Sequence, residues 1–114
     1  MPHFVVEYAR GITDDAGMSQ VMEQLVVAGV ESGCMQLEDI KVRATPYDDY
    51  LLAQPGQTFV HVTISLLAGR SDAVKAGLAE IVRDKLDALL PDVTSISIDI
   101  RDMNPVAYKK RLLG

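Results

Sequence analysis

The sequence predicts an α/β fold of two consecutive strand–helix–strand units, giving a four-stranded sheet with two helices packed on one face. Three observations support this prediction. The chain of 114 residues is long enough for one hydrophobic core. Apolar residues change twice from strand periodicity to helix periodicity and back. Each unit is also long enough for a right-handed crossover between parallel strands. We therefore treat residues 1–114 as a single domain.

The first unit begins with a predicted strand at residues 3–8, which are rich in Phe, Val and Tyr. Thr13 is the expected cap of the helix that follows, because two aspartates come next, where a helix favours negative charge. Apolar residues at helical spacing indicate that this helix runs to about Ser32 and stops at Gly33. Residues 40–45 form the second predicted strand of the unit.

The second unit repeats this order. Residues 58–67 are predicted to form a long strand, Ser71 to cap a helix, and residues 95–101 to form the fourth strand. Between the units, Pro46 should end the second strand, and a loop or short hairpin follows it. Residues 105–113 are expected to add a short terminal helix. The buried stripe predicted for the second helix consists of Val74, Leu78, Ile81, Val82 and Leu89.

The two faces of the predicted sheet differ in polarity. One face is apolar along the last three strands, and two helices can cover only this face. The opposite face, which we call the open face, mixes charged and polar side chains with Val5, Phe59 and Leu67. An apolar surface of this kind should be covered by self-association, which would enclose polar space between subunits.

Composition excludes several classes of partner and location. The net charge is −5 and no long basic run is present, which argues against nucleic acid as a partner. The basic cluster Lys109, Lys110 and Arg111 is interpreted as a complement to the dipole of the terminal helix. No apolar run reaches the about 20 residues that a membrane span needs. The single cysteine, Cys34, cannot form an internal disulfide, so we expect a cytoplasmic protein.

Pro2 is the candidate catalytic residue that remains after other chemistries are excluded. The sequence has no Gly-rich phosphate loop, no metal-ligand spacing and no nucleophile motif. His3 and His61 are interpreted as ordinary strand residues, and Cys34 as a residue without a chemical role. If Met1 is removed, Pro2 carries a secondary amine that burial and nearby cations would keep neutral and basic. Its ring would also fix the direction of the lone pair.

Three segments of the sequence support a catalytic interpretation of Pro2. They are the opening Met-Pro-His-Phe-Val-Val-Glu-Tyr, the stretch from Phe59 to Ser71 with its Gly-Arg-Ser end, and Asp102-Met103-Asn104-Pro105. In this order they resemble the tautomerase superfamily and, within it, the 5-carboxymethyl-2-hydroxymuconate isomerase family. The resemblance implies a tautomerase-like fold and a homotrimer that buries the open face, with active sites near subunit boundaries. It also implies a 1,3-proton shift on a small carboxylic acid without any cofactor.

The same resemblance implies the site residues. Pro2 matches the base that then acts as the acid, and Arg70 matches an arginine that holds a carboxylate and stabilises negative charge. Both Lys41 and Arg43 fit the second cation with small shifts of register. Bidentate carboxylate binding favours Arg43, with Lys41 assisting substrate binding, although the best-matching register has arginine where this chain has Lys41. Further candidates for lining the pocket are His3, Glu7 and Phe59.

Three functions stay open at this point. The first is isomerisation of a muconate-type di- or tricarboxylic acid from aromatic catabolism. The second is tautomerisation of a 2-keto acid such as phenylpyruvate, which also carries a carboxylate beside an enol. The third is a non-catalytic trimeric module that binds a small anion or a protein.

Overall fold

The computed structural model describes residues 2–114, so the expected removal of Met1 concerns a residue outside the described range. These residues form one four-stranded sheet and two α-helices. In chain order the elements are β1 (His3–Ala9), α1 (Asp15–Glu31), β2 (Lys41–Tyr47), β3 (Phe59–Leu67), α2 (Asp72–Leu89) and β4 (Ser95–Met103). A single 3-10 turn, Leu37–Asp39, precedes β2. Neither α-helix of the described chain combines the length and the hydropathy needed to cross a bilayer.

The sheet order is β2-β1-β3-β4, which places the first strand of each unit at the centre. Within each unit the two strands are parallel, as predicted: β1 pairs with β2 and β3 pairs with β4. The central pair, β1 and β3, is antiparallel and joins the two units. The sheet is therefore mixed, and the start of β1 lies beside the end of β3, where His3 is opposite Ser65.

Both helices pack on the predicted apolar face. Alternate residues of β1 and β3 are fully buried there, among them Phe4 and Ile64. The stripe predicted for α2 is correct at Leu78 and Val82 but wrong at Val74, which is 43% exposed. Val74 lies in the first turn of α2. The remaining core residues are Val6, Ala9, Met18, Val21, Leu25, Ala28, Met35, Val60, Val62, Leu66, Leu86 and Leu90.

The helix caps confirm one prediction and correct another. The Ser71 hydroxyl accepts a hydrogen bond from the Val74 amide at 3.2 Å and caps α2, as predicted. The cap of α1 is Asp14 instead of Thr13, since the Asp14 carboxylate accepts from the Gly17 amide at 2.7 Å. Threonine and aspartate can both cap a helix, and Asp14 is the residue that occupies the N-cap position of α1.

Two further expectations on local structure are wrong. Pro46 does not end β2, which continues to Tyr47; β2 is an edge strand, where a missing N–H is tolerated. Residues 105–113 form no helix, only one turn in which the Tyr108 amide donates to the Asn104 carbonyl at 2.9 Å. So short a segment cannot sustain a helix without tertiary support, and its side chains instead bind the first strand and the segment before β2.

Candidate active site

A cavity of about 360 Å³ lies where the start of β1 meets the end of β3. This volume is near the lower end of the about 300–1,000 Å³ of small-molecule sites. Three parts of the chain form its wall: the residue before β1, the segment between α1 and β2, and the end of β3 with the turn after it. The lining residues are Pro2, Gly33, Cys34, Met35, Gln36, Asp39, Leu66, Leu67 and Arg70.

Pro2 is buried at this cavity. Its carbonyl accepts a hydrogen bond from the Lys41 amide at 3.1 Å, which extends the β1–β2 pairing by one residue. The alternation that buries Phe4 and Val6 under the helices places Pro2 on the same side of the sheet. The backbone at Pro2 is therefore held by the sheet.

Arg70 joins two walls of the cavity. Its guanidinium donates to the Leu67 carbonyl at 2.9 Å and to the Cys34 carbonyl at 2.7 Å. The turn that delivers it depends on Gly69, whose φ of +131° is a conformation that other residues rarely adopt. Two of the five N–H groups of Arg70 are used by these carbonyls, and the side chain also lines the cavity. Its positive charge is thus fixed in the same space as Pro2.

Asp39, Gln36 and Cys34 line the cavity although the sequence did not identify them as site residues. They belong to the segment between α1 and β2, where no periodicity or motif predicts the path of the chain. Gly33, with a φ of +74°, ends α1 and turns the chain toward the cavity. Asp39 brings a carboxylate to the wall, and the Lys110 ammonium lies 3.8 Å from it.

Lys41 and Arg43 lie on β2 and face the open face of the sheet, as their alternation predicts. Neither of these two residues lines the cavity. The Lys41 ammonium donates to the Asp39 carbonyl at 3.2 Å. Arg43 Nη1 donates to His3 Nδ1 at 3.2 Å, and His3 Nε2 lies 3.0 Å from the Tyr108 hydroxyl. The structure therefore brings Pro2 and Arg70 together at the cavity, whereas Lys41 and Arg43 do not line it.

The environment of His3 determines its tautomer. Burial, and then the charges of Arg43 and Lys41, lower the pKa of His3 below its usual 6.5, so the ring is neutral at pH 7. Arginine can only donate, hence Nδ1 is the acceptor and Nε2 carries the proton. His3 Nε2 therefore donates to the Tyr108 hydroxyl, which keeps its own proton for another acceptor.

The other pocket candidates lie elsewhere on the open face. The Tyr47 hydroxyl donates to the Glu7 carboxylate, and Phe59 packs against Tyr47 and Tyr50 with ring centroids 6.2 and 5.3 Å apart. His61 lies 2.6 Å from the Ser97 hydroxyl on the neighbouring strand, consistent with an ordinary strand residue. Within residues 2–114 no three His, Cys, Asp or Glu side chains converge as a metal site would require.

Comparison with known proteins agrees with this architecture. Residues 2–111 match the family model for 5-carboxymethyl-2-hydroxymuconate isomerase. The 5-carboxymethyl-2-hydroxymuconate Delta-isomerase of Escherichia coli is 28% identical over 118 residues, which cover 97% of this chain and 94% of the relative.

Solved structures share the fold at lower identity. A 5-carboxymethyl-2-hydroxymuconate isomerase from Deinococcus radiodurans R1 superposes with a TM-score of 0.78 at 21% identity, covering 96% of this chain and 88% of that one. A fused 4-OT symmetric trimer superposes with a TM-score of 0.78 at 23% identity, covering 90% of this chain and 85% of that one. The fold is that of the tautomerase superfamily. With the match along residues 2–111, these observations show that the chain belongs to the 5-carboxymethyl-2-hydroxymuconate isomerase family and is a cofactor-independent isomerase.

Proposed function

We propose that the protein catalyses a 1,3-proton shift on a muconate-type unsaturated di- or tricarboxylic acid, with Pro2 as the base once Met1 has been removed. The observation that carries this proposal is the burial of Pro2 in a cavity that it shares with Arg70. The names of the Escherichia coli and Deinococcus relatives supply the substrate class. The proposed location is the cytoplasm, which the single free cysteine supports.

The chemistry needs only one mobile proton. The lone pair of the Pro2 amine takes a proton from a substrate carbon next to the unsaturated system, and the C–H electrons move into the conjugated chain toward the carbonyl oxygen. The resulting dienolate is stabilised by the positive charge of Arg70. The protonated amine then returns the proton two carbons away, which restores both the amine and the charge balance.

Two features of the cavity favour the neutral, basic form of a free Pro2 amine. Its burial disfavours a charged ammonium, and the Arg70 guanidinium adds electrostatic repulsion. The Asp39 carboxylate on the same wall acts in the opposite direction, so the basicity of the amine depends on the balance of these charges. An amide nitrogen in Met1-Pro2 has no basic lone pair and would be inert.

We also propose a homotrimer that covers the open face. The fused 4-OT neighbours are symmetric trimers, and the open face of the single chain carries three apolar side chains that are only partly buried, Val5, Phe59 and Leu67. In such an assembly Lys41 and Arg43 would face the enclosed space between subunits. They would supply the second cationic group there, with Arg43 better suited to bidentate carboxylate binding.

The decisive experiment compares three forms of the protein on 5-carboxymethyl-2-hydroxymuconate and on phenylpyruvate, with intact mass reporting the first residue. Protein that begins at Pro2 should turn over, whereas Pro2→Ala should lose well over tenfold in kcat, because a primary amine differs in basicity and aim. Protein that retains Met1 should be inactive. Turnover by fully Met1-retained protein would contradict the mechanism.

The same samples give the substrate preference and the oligomeric state. Higher kcat/KM on the muconate supports the proposed substrate class, and higher kcat/KM on phenylpyruvate would replace it with a 2-keto acid. Light scattering on the eluted protein should give three times the monomer mass of 12.4 kDa. A monomer at assay concentration would contradict the trimer.

A further inference from the structure

The carboxyl-terminal segment, residues 104–114, lies beside the Pro2 cavity. Its basic cluster, Lys109, Lys110 and Arg111, was expected to complement a helix dipole, but the segment forms no helix. That explanation of the cluster therefore fails. The structure instead shows two contacts from this segment near the cavity: Tyr108 with His3, the residue after Pro2, and Lys110 with the lining residue Asp39.

The first contact fixes where the segment runs. The rings of His3 and Tyr108 meet edge to face with centroids 5.9 Å apart, in addition to the hydrogen bond of 3.0 Å. Both side chains are partly buried, and His3 directly follows Pro2 in the sequence. The segment is thus anchored one residue from the proposed base, and Lys110 follows two residues after the anchor.

The second contact sets a positive charge at the cavity wall. The Lys110 ammonium lies 3.8 Å from the carboxylate of Asp39, a lining residue, and the two side chains are 32% and 33% exposed. An ion pair with this much solvent access contributes little to stability, so exchanging the Asp39 carboxylate for a substrate carboxylate costs the fold little. Lysine suits this task, because its ammonium is a compact charge on a flexible stem.

We propose that Lys110 forms a carboxylate subsite at the mouth of the Pro2 cavity, which selects substrates with a second carboxylate. This inference rests on the proposed function for the reaction, in which Arg70 stabilises charge near Pro2. Lys41 and Arg43 do not line the cavity, whereas the Lys110 ammonium contacts the carboxylate of a lining residue, Asp39, so Lys110 is the cation that we place at this mouth. Tyr108 positions it.

The test is a comparison of Lys110→Gln with Lys109→Gln, a neighbour that loses the same charge from an exposed position. For a muconate dicarboxylate, Lys110→Gln should raise KM about tenfold with kcat changed less than twofold, as expected for loss of a charged contact used in binding. On phenylpyruvate, which has one carboxylate, both variants should stay within about twofold of the wild type. Lys110→Arg should keep most of the affinity for the dicarboxylate.

A binding measurement separates this inference from the proposed function. Adipate, a saturated six-carbon dicarboxylate, cannot be isomerised, and its Kd from calorimetry should rise about tenfold in Lys110→Gln but not in Lys109→Gln. If the wild type shows no turnover but this difference persists, the subsite stands and the catalytic proposal fails. Equal weakening in both variants, or equal weakening for adipate and hexanoate, would overturn the subsite. Thermal melting confirms that each variant is folded.

Discussion

Removal of the Arg70 guanidinium tests whether this side chain stabilises the wall of the cavity in addition to supplying a positive charge there. Arg70 donates to the Leu67 carbonyl at 2.9 Å and to the Cys34 carbonyl at 2.7 Å. These bonds connect the end of β3 to the segment after α1, across 36 residues of sequence in the case of Cys34. Arg70→Met keeps much of the aliphatic stem and deletes both bonds, so we expect the variant to loosen the wall opposite Pro2.

The magnitude follows from the two bonds. A hydrogen bond to a charged group contributes about 1.5–3 kcal/mol, which would suggest up to about 6 kcal/mol for two. Arg70 is only partly buried, and water can replace part of what is lost, so we expect a loss of about 2–3 kcal/mol in the free energy of unfolding. Arg70→Lys retains the charge but presents one compact ammonium, so we expect roughly half of that loss.

Urea unfolding at fixed protein concentration measures this change, since assembly would make the stability depend on concentration. Arg83→Met is the matched control, because Arg83 is an exposed arginine on α2 near Asp84 and should change stability by less than about 0.5 kcal/mol. Arg70→Met with wild-type unfolding and lost turnover would refute the reasoning. In that case Arg70 would act on the substrate alone.

Three further predictions concern the fold. Asp14→Ala should cost about 1 kcal/mol in chemical unfolding and Thr13→Ala clearly less, since Asp14 holds the cap; the reverse order would restore the cap first expected from the sequence. The lowered pKa of His3 means that the folded state binds this proton less readily than the unfolded state. Stability should therefore be complete above pH 6.5 and fall as the pH drops through the lowered value, and an unchanged pH slope in His3→Gln would contradict this. Leu78→Ala should cost about 2–5 kcal/mol by denaturation and Val74→Ala much less; equal losses would contradict the assigned helix face.

The order of the elements along the chain and the parallel pairing within each unit could be predicted, because local periodicity and crossover geometry determine them. Strand and helix periods are visible in the sequence, and each strand–helix–strand unit allows one handedness of parallel pairing. Two of the errors concern residues whose role the local sequence does not decide. Thr13 and Asp14 are both good caps, and Pro46 breaks a central strand but not an edge strand. The edge position of β2 is a property of the whole sheet.

The candidate site was predictable only in part. Pro2 was identified from the chemistry of an amino-terminal proline together with the family resemblance, and Arg70 from the motif that carries this resemblance; their common cavity supports both without testing their roles. Asp39 and Lys110 could not be identified from sequence. Their positions depend on segments without periodicity, and the contact between them spans much of the chain. Residues that meet only after folding leave no pattern in a single sequence.

The placement of β1 explains how a chain terminus can hold a reactive group in a fixed direction. Terminal residues are usually poorly ordered, and a base on such a residue would have no defined aim. Here the first strand lies between β2 and β3, so its start is paired on both sides: Pro2 with Lys41, and His3 with Ser65. Tyr108 adds a third contact at His3. The fixed position of the proposed base therefore depends on the completed sheet, and the amine points in a defined direction only when the chain has folded.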